Sequence, residues 1–212
     1  MSQSTMQAEQ AEHSLETIRT LMERSQRYEH ISGAAGLVAG SAALAGCAVL
    51  ANGWLSFGIV WSLVFAVAFV AHAILTFVRA RRRGEPIWSR QARTVLLAVL
   101  PGLIGGLAAT VVLARLNQLD WLPAVWLVFY GCGVLATGFF APRSLAWLGA
   151  VCLGLGALSL LAGPARPIVT MAVGFGLTHL AFGVSVIAVE RREARAQAFW
   201  KEINDLAQTE SN

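Results

Sequence analysis

Charge is scarce in this sequence, and it is missing in blocks. Only 13% of the 212 residues are Asp, Glu, Lys or Arg, against about 25% in an ordinary soluble domain. Between Ile31 and Ala51, and again between Leu55 and Val78, charge is almost absent. Runs of about 20 apolar residues match the thickness of a bilayer's hydrocarbon core, roughly 30 Å. A water-soluble fold has no use for six of them in a chain this short. No acidic or basic residue falls in the middle of any of these runs. Ion-coupled carriers and proton pumps ordinarily keep an ionisable group at membrane depth, so that class is disfavoured, although carbonyls at broken helices can also hold ions.

Other absences narrow the reading further. The three cysteines, Cys47, Cys132 and Cys152, lie singly inside apolar runs, without the paired spacing of a metal or redox site; they read as small packing residues. No G-x-S-x-G, no H-E-x-x-H and no phosphate-binding P-loop occurs, so the hydrolase, metalloprotease and nucleotide-binding signatures are missing. Arg115, Asn117 and Asp120 form the nearest thing to an acid–base cluster, but it lacks a nucleophile and falls where a loop is polar anyway. The balance points away from an enzyme, with no catalytic residue and no metal ligand to name. The first 30 residues are polar, without the basic-then-apolar order of a secretory signal, so the first span is expected to be a retained anchor. The net charge of +4 could suggest nucleic acid; its origin in one arginine cluster and a basic C-terminal segment fits a membrane protein better, and no nucleic-acid partner is expected.

What is present is an all-α, polytopic pattern. Six spans are expected at 31–51, 55–78, 94–114, 121–141, 145–162 and 167–189. They are flanked by a tail over 1–30 and another over 190–212. Pro142 and the stretch 163–167 (Gly-Pro-Ala-Arg-Pro) are strong breakers, and Pro101 falls inside the third span, where it frees a carbonyl and allows a kink. In the first tail, Leu15, Ile18, Met22, Ser25 and Tyr28 recur at helical steps opposite Glu12, Glu16, Arg19, Glu23 and Arg27, the mark of an amphipathic helix. The second tail carries a shorter stripe of Phe199, Ile203 and Leu206.

Orientation follows from the basic residues of the connections. With the N-terminus in the cytoplasm, fourteen of the 16 Lys and Arg residues lie inside, leaving Arg115 and Arg166 outside. Both ends are then cytoplasmic. The loop residues Arg79, Arg81, Arg82, Arg83, Arg90 and Arg93 set this topology and meet anionic lipid headgroups, at about 1 kcal/mol for each basic residue near the surface.

Small residues mark helix contacts. Gly36 and Gly40, Gly102 and Gly106, the series Ala146, Ala150 and Gly154, and the pair Ala172 and Gly176 all follow the small-xxx-small spacing that lets backbones approach. The bland meaning is packing within one bundle. A homodimer seam on span one, through Gly36, Gly40 and Ala43, is the sharper one.

Within the spans, His72 and His179 are the only histidines. Their depths differ by roughly 6 Å at about 1.5 Å per residue. The plain reading is two structural hydrogen bonds, with Thr76, Thr178 or a facing carbonyl as partners. A haem held axially between spans two and six is a further reading, requiring both imidazoles to face one gap. A third is a polar lining for a small solute, formed by Ser62, His72, Thr110, Tyr130, Thr137, His179 and Ser185. Three functions compete: an accessory, scaffold or regulatory membrane protein acting through packing and its tails on a membrane or cytoplasmic partner, a small channel or carrier, and a haem protein.

Residues 15–25, with Leu15, Ile18, Met22, Glu23 and Arg24, followed by Tyr28 and the run Ile31-Ser32-Gly33-Ala34-Ala35-Gly36, resemble the start of uncharacterised bacterial inner-membrane proteins. In those, a charged helix leads into a Gly- and Ala-rich first span. The resemblance covers about 30 residues, implies a bacterial cytoplasmic membrane, and brings no site residue with it.

The arginine bias yields a direct expectation. In a background with Cys47, Cys132 and Cys152 replaced by alanine, Arg82→Cys and Arg166→Cys will react with an impermeant maleimide from opposite faces of a sealed vesicle. Labelling of both from one face would refute the topology.

Overall fold

A computed structural model describes residues 32–84, 88–139 and 143–210. The amphipathic segment expected within 1–30 lies outside them, as does Pro142. Among the described residues, regular structure is entirely helical. The helices are α1 (Gly33–Ala51), α2 (Phe57–Arg83), α3 (Arg90–Arg115), α4 (Leu122–Ala136), α5 (Arg143–Ala162) and α6 (167–210). Six are long and apolar enough to cross a membrane. The protein is a multi-pass membrane helix bundle.

Local chemistry sets the helix ends. Ser89 caps α3, its hydroxyl accepting from the Ala92 amide at 3.1 Å, which satisfies one of the first turn's free donors. At the other end of the preceding connection, Gly84 closes α2 with φ +66° and bonds back to the Ala80 and Arg81 carbonyls, a left-handed cap that a side chain would strain. Gly163, with φ +85°, makes the turn after α5, and Pro167 opens α6 at a position where its missing N–H costs nothing. α3 continues through Pro101, which sits on its exposed side.

Helix α6 contains a break in register. Its first turn, Pro167–Met171, passes into a π-helical turn at Ala172–Leu177 before α-helix resumes at Thr178–Glu210. That final stretch runs without interruption from membrane depth into the polar C-terminal segment, so the sixth span and the tail helix are one element.

The helices do not close into a ring. α1 packs between α2 and α6, α4 packs between α3 and α5, and α6 touches α4 and α5. α2 and α3 are therefore flanks: 6% and 11% of their apolar windows are buried, against 39% for that of α4. Phe65, Phe69, Ile74, Leu97, Ile104 and Leu107 all face outward, as helices in contact with lipid do.

Glycine makes the seams. On α1, Gly36 lies against Gly183 and the Phe182 ring, and Gly40 against the Gly176 carbonyl and Leu180. A β-carbon on Gly183 would come within 2.7 Å of the Gly33 carbonyl and the Leu37 amide. The small face of span one, with Ala43 only 1% exposed, is thus filled by α6 of the same chain, and a seam between two copies through Gly36 and Gly40 is sterically taken. On α3, Gly102 abuts the Phe129 carbonyl and Gly106 lies under the Trp126 ring. Between α4 and α5, Gly131 meets the Leu153 backbone, Gly149 the Leu135 backbone, and Gly156 the Leu127 side chain.

The stripe on α5 differs from the expected one. Gly154 is exposed, with open space where a β-carbon would stand, and Ala146 and Ala150 are only half-buried. The buried face is Leu148, Gly149, Cys152 and Gly156. Two small stripes overlap in this helix, and which one is used depends on where α4 lies. Ala172 begins the π-turn and is half-buried, while Gly176 receives the Leu44 side chain of α1. The π-turn also lets Gly174 accept Leu127 of α4. Fully buried Leu127 is therefore a knob seated between Gly156 of α5 and Gly174 of α6.

Overpacking such a contact typically costs about 1–3 kcal/mol. Gly183→Ala will lower the unfolding midpoint in neutral detergent by an amount of that order, whereas Gly154→Ala will leave it nearly unchanged. Equal midpoints for the two variants would contradict the α1–α6 seam.

Candidate functional site

A membrane interior gives polar groups no water to bond with, so a partner in the protein is favoured there. In α6 the π-turn lengthens the hydrogen-bond step, and the Thr178 amide bonds back to the Val173 and Phe175 carbonyls. The same two carbonyls also accept from side chains just downstream. The Thr178 hydroxyl donates to the Val173 carbonyl at 2.8 Å, and His179 Nδ1 lies 2.8 Å from the Phe175 carbonyl.

That carbonyl can only accept, so Nδ1 carries the proton. In the neutral ring Nε2 is then the acceptor, and the Tyr130 hydroxyl of α4 meets it at 2.8 Å. Both ring nitrogens are satisfied and His179 is 7% exposed. Around the pair, Phe175 stacks on the His179 ring with centroids 5.9 Å apart and meets Tyr130 at 5.4 Å. Trp61 of α2 continues the cluster, 6.2 Å from Phe175. Centroid separations in this range are favourable for aromatic pairs, and here they join α2, α4 and α6. The Trp61 Nε1 and Thr76 Oγ1 atoms are buried without a hydrogen-bond partner.

Of the seven residues grouped as a lining, the structure brings together Tyr130 and His179. Thr110 binds elsewhere: its hydroxyl donates to the Gly106 carbonyl at 2.8 Å and accepts from Trp126 Nε1 at 2.9 Å, tying α3 to α4. Thr137 is fully buried and donates to Val134 at 2.6 Å. Ser185 is exposed and bonds its own helix at Phe182. Ser62 and His72 face outward from α2. These placements make separate interhelical and local bonds rather than one polar track. The two histidines likewise do not share an environment, one being turned outward and the other held at both nitrogens.

Sulfur adds packing. Cys152 Sγ points to the Gly174 carbonyl at 3.7 Å and Cys47 Sγ to the Ile168 carbonyl at 3.6 Å. Among the described residues there is no group of three side chains able to hold a metal ion.

At the arginine-rich end, Arg79 of α2 pairs with Glu190 of α6, and Arg81 lies over the Phe77 ring at 5.1 Å. The Arg79–Glu190 bond places the α2–α3 connection and the tail of α6 at one end of the bundle. Sequence reasoning left Glu190 without a role; its signal was a lone carboxylate at the boundary where α6 leaves the apolar run. The Trp126–Thr110 bond was missed too, because an indole and a hydroxyl 16 positions apart in different helices share no local pattern.

No family model, no curated protein and no solved structure matches this chain.

Membrane-buried side-chain hydrogen bonds average about 0.6 kcal/mol and reach about 1.7. Tyr130→Phe will destabilise by that order while keeping the aromatic packing. Nitrogen NMR of the wild type will show His179 as the neutral ring protonated at Nδ1; a ring protonated at Nε2 would overturn the assigned hydrogen bonds.

Proposed function

We propose that this protein is a non-enzymatic accessory or scaffold component of a bacterial cytoplasmic membrane, with both ends in the cytoplasm, that acts through its surfaces rather than through an internal site. The observation that carries this reading is the pairing of the interior: Tyr130 with His179, His179 with Phe175, Thr110 with Trp126, and Thr137 with Val134. Leu127, Val134, Leu148 and Cys152 form a close-packed centre beside them.

The outward features complement it. α6 leaves the apolar region as a continuous helix and exposes Phe199 and Trp200, whose rings meet edge to face 5.9 Å apart. Aromatic residues are enriched at protein interfaces relative to the rest of the surface. Topology rests on the arginine bias, and the Arg79–Glu190 pair supports it by gathering two basic segments at one end. The channel reading lacks a shared polar lining, and the haem reading would have to displace Tyr130 from His179 Nε2.

A photoreactive residue substituted at Trp200 in the full-length protein will give a discrete adduct with one partner in cells, and Phe199→Ala will weaken it severalfold without changing the unfolding midpoint. Absence of any discrete adduct, together with a Soret band in the purified protein, would replace this reading with the haem one.

A further inference from the structure

We infer that a shallow groove on the outer side of α6 is a binding site for an anionic phospholipid. The groove is lined by Val184, Ile187, Ala188, Arg191, Arg192 and Arg195. Residues 184, 188, 191 and 195 follow one another at four- and three-residue steps, so they form a single stripe along the helix. Its lower part is apolar and its upper part is Arg191 and Arg195, with Arg192 beside them on the groove's edge. Ile187 borders Gly33 at the start of α1, which fixes that edge of the groove against the bundle.

The stripe crosses the boundary at which a phospholipid changes character. From Val184 to Arg195 the helix rises about 16 Å, enough for acyl chains to lie along Val184, Ile187 and Ala188 while a phosphate reaches the guanidinium groups. Arginine presents planar, forked donors that match phosphate oxygens in pairs. This end of the molecule carries other arginines, but two of them are engaged: Arg79 with Glu190, and Arg81 over Phe77. Arg191, Arg192 and Arg195 are exposed, and among the described residues no ion pair occupies them.

Acid is arranged so as not to oppose the anion. Glu190 is neutralised by Arg79 on the side facing α2. Glu193 stands two positions from both Arg191 and Arg195, which at about 100° per residue puts it on the opposite side of α6. The groove thus presents concentrated positive charge above an apolar floor, and a zwitterionic lipid or a soluble phosphate satisfies only one half of it.

The test uses the purified full-length protein in neutral detergent, with dioleoyl phosphatidylglycerol, dioleoyl phosphatidylcholine or inorganic phosphate added and retention read by native mass spectrometry. Phosphatidylglycerol will be retained in preference to phosphatidylcholine, and inorganic phosphate will not displace it. The triple variant R191Q/R192Q/R195Q will weaken retention about tenfold or more, while R81Q/R82Q will keep most of it. Ala188→Trp, which preserves every charge and lies on the exposed surface, will also reduce retention by filling the floor. Equal retention of the two lipids, an equal loss in R81Q/R82Q, or an unchanged Ala188→Trp protein would each overturn the proposal. So would displacement by inorganic phosphate, which would assign the arginines to a soluble anion.

Discussion

The constraint on which this structure depends is the absence of a hydrophobic force between helices once they are in lipid. Hydrocarbon is as apolar as leucine, so burying one leucine against another adds little there. What remains is dispersion at close range, which falls off steeply with a gap of even half an ångström, and hydrogen bonding between groups that have no other partner. The protein uses both. Gly36, Gly40, Gly176 and Gly183 bring α1 and α6 into backbone contact, and Gly131, Gly149 and Gly156 do the same for α4 and α5. Leu127 then reaches from one pair to the other, filling the space that Gly156 and Gly174 leave open.

The π-turn of α6 belongs to the same economy of contacts. It directs Gly174 toward α4 and Gly176 toward α1, so one helix serves two seams. Two of its carbonyls, those of Val173 and Phe175, also accept from the Thr178 hydroxyl and the His179 ring, and the imidazole passes the connection on to Tyr130. A local irregularity of the backbone thereby becomes a hydrogen-bonded link between α6 and α4. The flanking helices follow a different rule. α2 and α3 are held on one side and turned to lipid on the other, and each is fastened by a polar contact: Arg79 to Glu190 for α2, and Thr110 to Trp126 for α3.

This division has consequences for function. In the function proposed above, the working surfaces are the exposed faces of α2 and α3, the arginines at one end, and the extension of α6. The two ends of α6 are unlike in kind: at membrane depth it packs against α1, α4 and α5, and beyond Glu190 every side chain through Trp200 is exposed.

The existence, number and approximate limits of the apolar helices were legible in the sequence, because they depend only on how long a chain segment goes without charge and on where Pro, Gly and Asn interrupt it. Gly36, Gly40, Gly102 and Gly106 were legible as contact positions for a similar reason, since a missing side chain is visible without knowing what fills the gap. The α5 stripe was not, because Ala146-Ala150-Gly154 and Gly149-Cys152-Gly156 are equally small and only the position of α4 selects between them. Nor could the polar residues be grouped. His72, Thr110, Tyr130 and His179 all read alike as polar atoms in apolar runs, and it is the rotation of each helix that sends His72 outward and points His179 at Tyr130. Composition along the chain decides that these segments enter a membrane; which atoms meet there is decided by register and rotation between helices, which contacts distant in sequence determine.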